Sequence, residues 1–424
     1  MTYINKLANQ LEQSHTSYHA IQLARQELMD NGFVQIDESS QWNIRPGDKC
    51  LVIRDGSALI AFTVGNNAKG FNIVASHTDS PCLKVKANPE LRVSKYTKLN
   101  VERYGGGLNY SWLDIPLRLA GRVIVKQDNG TLQSHLVDSK QLVVIPSLAI
   151  HFNRESNNGL TLNPQSHLSP LVSMQDNFML DIMRQYEGKE VLGTDIYVTS
   201  AVKPFINGYN DEFLSAPRID NLTSAFASVS ALINSQGHNI SMTYLADNEE
   251  VGSSTKQGAG STFLKSTISR ICRCLNYDKQ QLLANSIMVS CDNAHAVHPN
   301  YAEKSDPTNA VLLNGGVVIK HHANQNYTTD AFSSALIKDI ALLNNIPTQD
   351  FYMRADMPCG GTLGAISSQQ LSIRSVDIGL PQLAMHSAVE TCGTQDYDNL
   401  IKLMSIFFGV TILCPTYDTI RVQA

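Results

Sequence analysis

The sequence predicts an α/β fold interrupted by an inserted β-rich module, and three observations carry that prediction. A chain of 424 residues exceeds one ordinary hydrophobic core, so two domains are expected. Short apolar runs of strand length alternate with helical periodicity near both ends. Between about Lys84 and Asn210, proline, glycine and tyrosine punctuate strand-like runs instead. The main domain is therefore placed, discontinuously, at residues 1–83 and 214–424, with the insertion at 84–213.

Composition narrows the function classes. With 43% hydrophobic and 17% charged residues the chain reads as a soluble globular protein. A net charge of -5 and a pI near 6.2 argue against a nucleic-acid-binding surface. No stretch approaches the roughly 20 apolar residues of a membrane span. The opening Met1-Thr2-Tyr3-Ile4-Asn5-Lys6 lacks the basic segment and apolar core of a secretory signal. Eight cysteines are scattered, and the single close pair, Cys272 and Cys274, has no second pair to make a zinc knuckle. Reduced thiols in a cytoplasmic protein are expected.

Each element follows in order. Tyr18, Ile21, Ala24 and Leu28 repeat at helical spacing before the stop signal Asn31-Gly32. Strand-like runs come next at 50–53, 58–64 and 71–75, and the third delivers His77-Thr78-Asp79 at its end. In a His-x-Asp pair the carboxylate can accept the far ring N–H, fix the tautomer and aim the other nitrogen at an ion. The plainer role for a lone histidine there is structural. Within the insertion, Arg103-Tyr104-Gly105-Gly106-Gly107-Leu108 lacks the lysine and hydroxyl residue of a phosphate loop and reads as a turn. Asn129-Gly130, between runs at 122–126 and 132–137, predicts a hairpin. His151 and Arg154 follow a short apolar run and, taken alone, suit a structural or surface role.

Beyond Pro217, Asp220 stands near the start of an alanine- and serine-rich helix at 224–233, where its plain use is an N-terminal cap. The apolar strand at 240–245 ends in Asp247-Asn248-Glu249-Glu250, and Gly252, Ser253 and Ser254 break the pattern. Neighbours on an extended chain point opposite ways, and two carboxylates at a core edge are unfavourable unless each has its own partner. A metal ion can be one partner and a positioned water the other; a solvated loop is the bland alternative. Another apolar run, 286–290, leads into Cys291-Asp292, and the stretch from Ile378 places His386 just before a helical pattern that passes Leu400.

The combination says more than its parts. Ligands in open α/β sheets gather beyond the carboxyl ends of strands, and His77, Glu249, Glu250, Asp292 and His386 all follow strand-like runs. Nitrogen and oxygen donors suit zinc, and two ions roughly 3.5–4 Å apart can clamp a nucleophilic water and the oxygen that develops charge. His77, Asp220 and Asp292 would hold one ion, and Asp220, Glu250 and His386 the other. Glu249 is then the spare acid, a general base on the water and later an acid toward the leaving amine. Cobalt or manganese is not separated from zinc by donor type alone.

The segments Ser76-His77-Thr78-Asp79-Ser80-Pro81, Arg218-Ile219-Asp220-Asn221, Asp247-Asn248-Glu249-Glu250-Val251-Gly252-Ser253, Asp292-Asn293-Ala294-His295-Ala296-Val297-His298-Pro299 and Pro381-Gln382-Leu383-Ala384-Met385-His386-Ser387 resemble the aspartyl aminopeptidase family, in the family's order and over most of the chain. The resemblance implies a cytoplasmic exopeptidase with two zinc ions per subunit that removes an N-terminal residue, preferably acidic, from peptides. It implies a mixed-sheet α/β/α catalytic domain of the dizinc aminopeptidase type, with the β-rich insertion as a dimerisation domain, and a tetrahedral homododecamer. Asp79 and Glu249 take the catalytic positions. Lys320 aligns with a family lysine that meets the acidic side chain of the substrate, and His151 with a histidine that reaches a neighbouring subunit's site, there contacting substrate or lying close to metal. Asp356-Met357-Pro358-Cys359-Gly360-Gly361-Thr362 also fits, its glycines allowing backbone to approach bound peptide. The chain departs at Asn248, where many relatives carry histidine, at Asn293, where many carry methionine, and at Asn326, where an arginine is expected before Tyr327. Two other functions share these residues: a metallo-carboxypeptidase or N-acyl amide hydrolase, and a non-catalytic oligomeric shell, against which the retained Glu249 argues.

Overall fold

The computed structural model describes residues 2–174, 186, 189–235 and 237–423. Among these, nine strands form a central mixed sheet whose inner part is Ile240–Ala246, Phe71–His77, Ile287–Cys291 and Arg374–Gly379, all parallel to one another. The first three of these strands are buried at every residue, as a parallel sheet covered on both faces requires. Side chains divide by alternation: Val74 and Leu245 pack beneath the helices Ile219–Asn234 and Thr394–Gly409, whereas Ile73, Ala75, Met242 and Tyr244 pack toward Phe263–Leu275 and Leu363–Leu371. Because these strands run the same way, their carboxyl ends share one edge, and that edge carries His77, Asp247 and Asp292.

A second, six-stranded antiparallel sheet spans Cys82–Val93 to Glu190–Ser200 and encloses its own core of Leu83, Leu99, Leu117, Val123 and Val198. Its hairpin pairs Lys126 with Leu132 across a loop in which Gly130 has φ 82°, the left-handed conformation that Asn-Gly signalled. The short strand Phe205–Asn207 does not join this sheet. It pairs with Phe213–Ala216 in a third, five-stranded sheet that also holds Pro381–Leu383 and Glu390–Gly393.

Local geometry departs from the sequence reading in four places. A helix at Tyr3–Gln13 precedes the predicted one; it buries just Leu7, Gln10 and Leu11, too few positions to set a period. Asp220 caps nothing: Arg218, at φ 61°, occupies the cap position, and Asp220 and Asn221 keep non-helical backbone angles that leave the carboxylate free of the helix. Glu249 and Glu250 lie not on extended chain but in a one-turn 3-10 helix, Glu249–Val251, between Asn248 at φ 60° and Gly252 at φ 93°. Finally, the strand Glu390–Gly393 intervenes between His386 and the helix Thr394–Gly409, because Glu390 turns inward and is buried.

Candidate metal centre

Two groups of potential ligands meet at the carboxyl edge of the central sheet. His77, Asp220 and Asp292 form one, Asp220, Glu250 and His386 the other, each with its donor atoms within 4.8 Å of one another. Asp220 belongs to both. Its Oδ1 lies 3.4 Å from His77 Nε2 and its Oδ2 3.5 Å from His386 Nε2. Asp292 Oδ1 is 3.4 Å from His77 Nε2, and Glu250 Oε2 is 3.3 Å from His386 Nε2.

These contacts are not ordinary hydrogen bonds. The Nδ1 of His77 lies 3.1 Å from the Asp79 carbonyl oxygen and that of His386 3.2 Å from the Gly106 carbonyl oxygen. Carbonyls only accept, so each Nδ1 carries the proton, and in a neutral ring each Nε2 is then a bare acceptor aimed at carboxylate oxygens. Acceptor facing acceptor needs positive charge between them, a second ring proton or a metal ion. Separations of 3.3–3.5 Å are long for hydrogen bonds but match the edge of a tetrahedron with metal bonds of about 2.0–2.2 Å. Asp220 Oδ1 and Glu250 Oε1 are also buried without a hydrogen-bond partner, a costly state for carboxylates unless a cation serves them. The donor set therefore fits two zinc ions.

Electrostatics agrees. Burial alone lowers His77, yet Asp220, Asp292 and Asp79 outweigh it and hold the ring well above its ordinary value. His386 is likewise raised to about 10, Asp220 and Glu250 overcoming burial. The acids thus draw positive charge to each Nε2, and a bound metal would supply that charge in place of a second ring proton. Glu249 lies outside both groups. Burial pushes its carboxyl up to about 7, while His77 pulls it down; positive charge added to the cage favours the ionised form that a base needs.

The supports come from several elements. Asp79 accepts the Glu249 amide at Oδ1 and the Glu250 amide at Oδ2, each at 3.1 Å, so it holds the 3-10 turn rather than a metal. Lys320 is not a surface charge: it is 2% exposed, donates to the Asn293 carbonyl at 3.1 Å and lies 3.7 Å from Asp292 Oδ2. His151 is not brought to the cluster within one chain; it sits exposed in a short turn, Ile150–Phe152. His295 and His298 belong to neither group. Two supports were missed in the sequence. Buried Glu390 accepts the Asp220 amide at 2.9 Å and the His386 amide at 2.7 Å, and nothing in its local sequence marks it. The glycine turn was visible but read as a mere turn. Gly106 fixes His386, and a Cβ at Gly105 would stand 3.2 Å from Glu250 Cβ.

The three departures are each satisfied. Buried Asn293 donates to the Ile219 carbonyl and Gln382 Oε1 and accepts from Thr223, bracing the start of the Asp220 helix. Asn326 donates to the Cys359 carbonyl, tying down the 356–362 loop. Asn248 accepts from Thr255 and Gln257 and donates to Tyr104.

Residues 10–408 match the family model described as Aminopeptidase I zinc metalloprotease (M18). A probable M18 family aminopeptidase 2 from Clostridium novyi is 39% identical over 429 residues, covering 96% of this chain and 99% of the relative. Among solved structures, a chain of the Ape4 and Nbr1 complex superposes with a TM-score of 0.91 at 33% identity, covering 96% of this chain and 85% of that one. The S. cerevisiae mApe1 dodecamer gives 0.84 at 28%, with 96% of each chain covered.

Proposed function

The chain belongs to the M18 family of zinc metalloproteases and is an aminopeptidase, and on that premise we propose that it holds two zinc ions per subunit and releases an N-terminal residue, preferably Asp or Glu, from peptides. One observation carries the reading: two imidazoles aim their Nε2 atoms at opposite oxygens of the single carboxylate of Asp220. His77, Asp220 and Asp292 hold one ion and Asp220, Glu250 and His386 the other. Bound zinc supplies Lewis-acid polarisation of the scissile carbonyl and lowers the pKa of water. Glu249 removes the proton of the attacking water and returns it to the departing amine. Asp79 keeps Glu249 and Glu250 in register through their backbone amides.

The acidic preference rests on Lys320. An ammonium has three donors; one goes to the Asn293 carbonyl, and with Asp292 Oδ2 3.7 Å away and the Tyr327 ring centroid 4.9 Å away, donor capacity remains for a substrate carboxylate. His151, flanked by exposed Leu148, Ile150 and Phe152, suits completion of a neighbouring subunit's site. We extend the dodecamer of the S. cerevisiae relative to this chain as a tetrahedral homododecamer, with residues 84–213 as its dimerisation domain. The eight free cysteines suit a cytoplasmic setting, and among the described residues no helix is long and apolar enough to cross a membrane.

The test is a peptide panel on full-length protein, chelated and then restored with zinc. Peptides with a free amine are cleaved, N-terminal Asp fastest, and N-acetylated ones are spared. Glu249→Gln lowers kcat by about 10³-fold with zinc content intact. Full activity in Glu249→Gln ends the assigned mechanism; equal rates on Asp, Leu and Lys peptides remove Lys320 from its role; cleavage of blocked peptides points to the amide hydrolase instead.

A further inference from the structure

We propose that Tyr104, the last residue of a second-sheet strand, is a positioning residue for the Glu249–Glu250 turn. The inference rests on the reading of Glu249 as the base. The Tyr104 hydroxyl donates to Asp79 Oδ2 at 2.7 Å and accepts from Asn248 Nδ2 at 2.8 Å. Its direction is fixed by its neighbours. Asn248 Oδ1 already accepts from Thr255 Oγ1 at 2.8 Å and Gln257 Nε2 at 3.0 Å, so the Asn248 amide nitrogen faces Tyr104 and can only donate. The phenol proton is thereby committed to Asp79, the carboxylate that receives the amides of Glu249 and Glu250.

The ring itself is anchored in the second sheet. It ends the strand Tyr96–Tyr104 and packs edge-on against Tyr197, with ring centroids 5.8 Å apart. The next residues, Gly105 and Gly106, lie against Glu250 and His386. The end of this strand and the turn after it thus touch the base turn through Asp79, and Glu250 and His386 through the glycines. A hydrogen bond between a neutral donor and a buried carboxylate is short and strong, and losing it lets that carboxylate turn away from the amides it aligns.

Tyr104→Phe keeps the ring packing and removes only the hydroxyl. In the zinc-loaded full-length enzyme, kcat falls about ten- to a hundredfold, the rate equivalent of one hydrogen bond to a charged group, while KM stays within twofold and zinc content is unchanged. In the chelated protein, hydrogen exchange of amides 247–252 quickens severalfold, a readout independent of turnover. Asn248→Asp, which leaves both rings in place, turns the donor into an acceptor and draws the phenol proton from Asp79. It reproduces the kcat loss, and the double variant is no worse than either single one. Wild-type kcat and exchange in Tyr104→Phe overturn the inference, as do losses that multiply in the double variant. Glu249→Gln in the same assay separates the two readings: if it is inactive while Tyr104→Phe is fully active, the positioning role alone fails.

Discussion

The two halves of the cage are built differently. In the inner group, His77, Asp220 and Asp292 are all buried, and two of them stand at or just past the ends of parallel core strands. In the outer group, Glu250 comes from a 3-10 turn and His386 from a loop, and the His386 side chain is 31% exposed against 2% for His77. The inner ring is oriented by a backbone carbonyl two residues away, the outer by a carbonyl 280 residues away, in the turn that follows a second-sheet strand. Strand ends are fixed by the same packing that makes the core; turns and loops must borrow rigidity from whatever packs on them. The inner position should therefore be tight and slow to exchange, the outer one adjustable.

The largest test strikes the residue common to both. Asp220→Asn keeps the shape but removes the shared charge. Zinc content falls below one ion per subunit and activity drops at least about a thousandfold, the scale of a lost Lewis-acid contribution of several kcal/mol. Metal analysis beside kinetics checks it, and two firmly held ions in this variant would break the bridging assignment. Next comes the asymmetry itself. His386→Ala retains one zinc that resists dilution into a weak chelator, whereas His77→Ala loses the tighter ion. Equal losses in the two variants would show that burial does not rank the positions.

That asymmetry also governs what could be read from the sequence. The inner strands announce themselves as continuous apolar runs, so the sequence itself points to His77, Glu249, Glu250 and Asp292 beyond their ends. Asp220 was placed as a shared ligand by counting carboxylates, although its local pattern reads as a cap; only the backbone at 218–221 shows why it is none. Lys320 gains a role only through the family resemblance, because hydrophobic patterning cannot register a lysine buried against a carboxylate. Glu390, Tyr104 and Gly106 were not legible as site residues, since each acts through a partner far away in the chain. No local period encodes such a contact.

The smallest effect separates two adjacent glycines of the outer half. Gly105 has φ 74°, and a Cβ there would stand 3.2 Å from Glu250 Cβ, closer than most such contacts allow. Gly105→Ala therefore meets two penalties at once: about 1 kcal/mol for a side chain in left-handed backbone, and a push on a ligand of the outer ion. Gly106 lies outside the left-handed region, and its added methyl would meet His386 Nδ1 at 3.7 Å, ordinary contact distance. Gly106→Ala should shift stability by no more than about 0.5 kcal/mol. A chelator titration reads the difference: Gly105→Ala releases the outer zinc at severalfold lower chelator while the inner ion is unmoved. If both ions weaken together in Gly105→Ala, the second sheet bears on the whole cage, and the division into a rigid and an adjustable half is wrong.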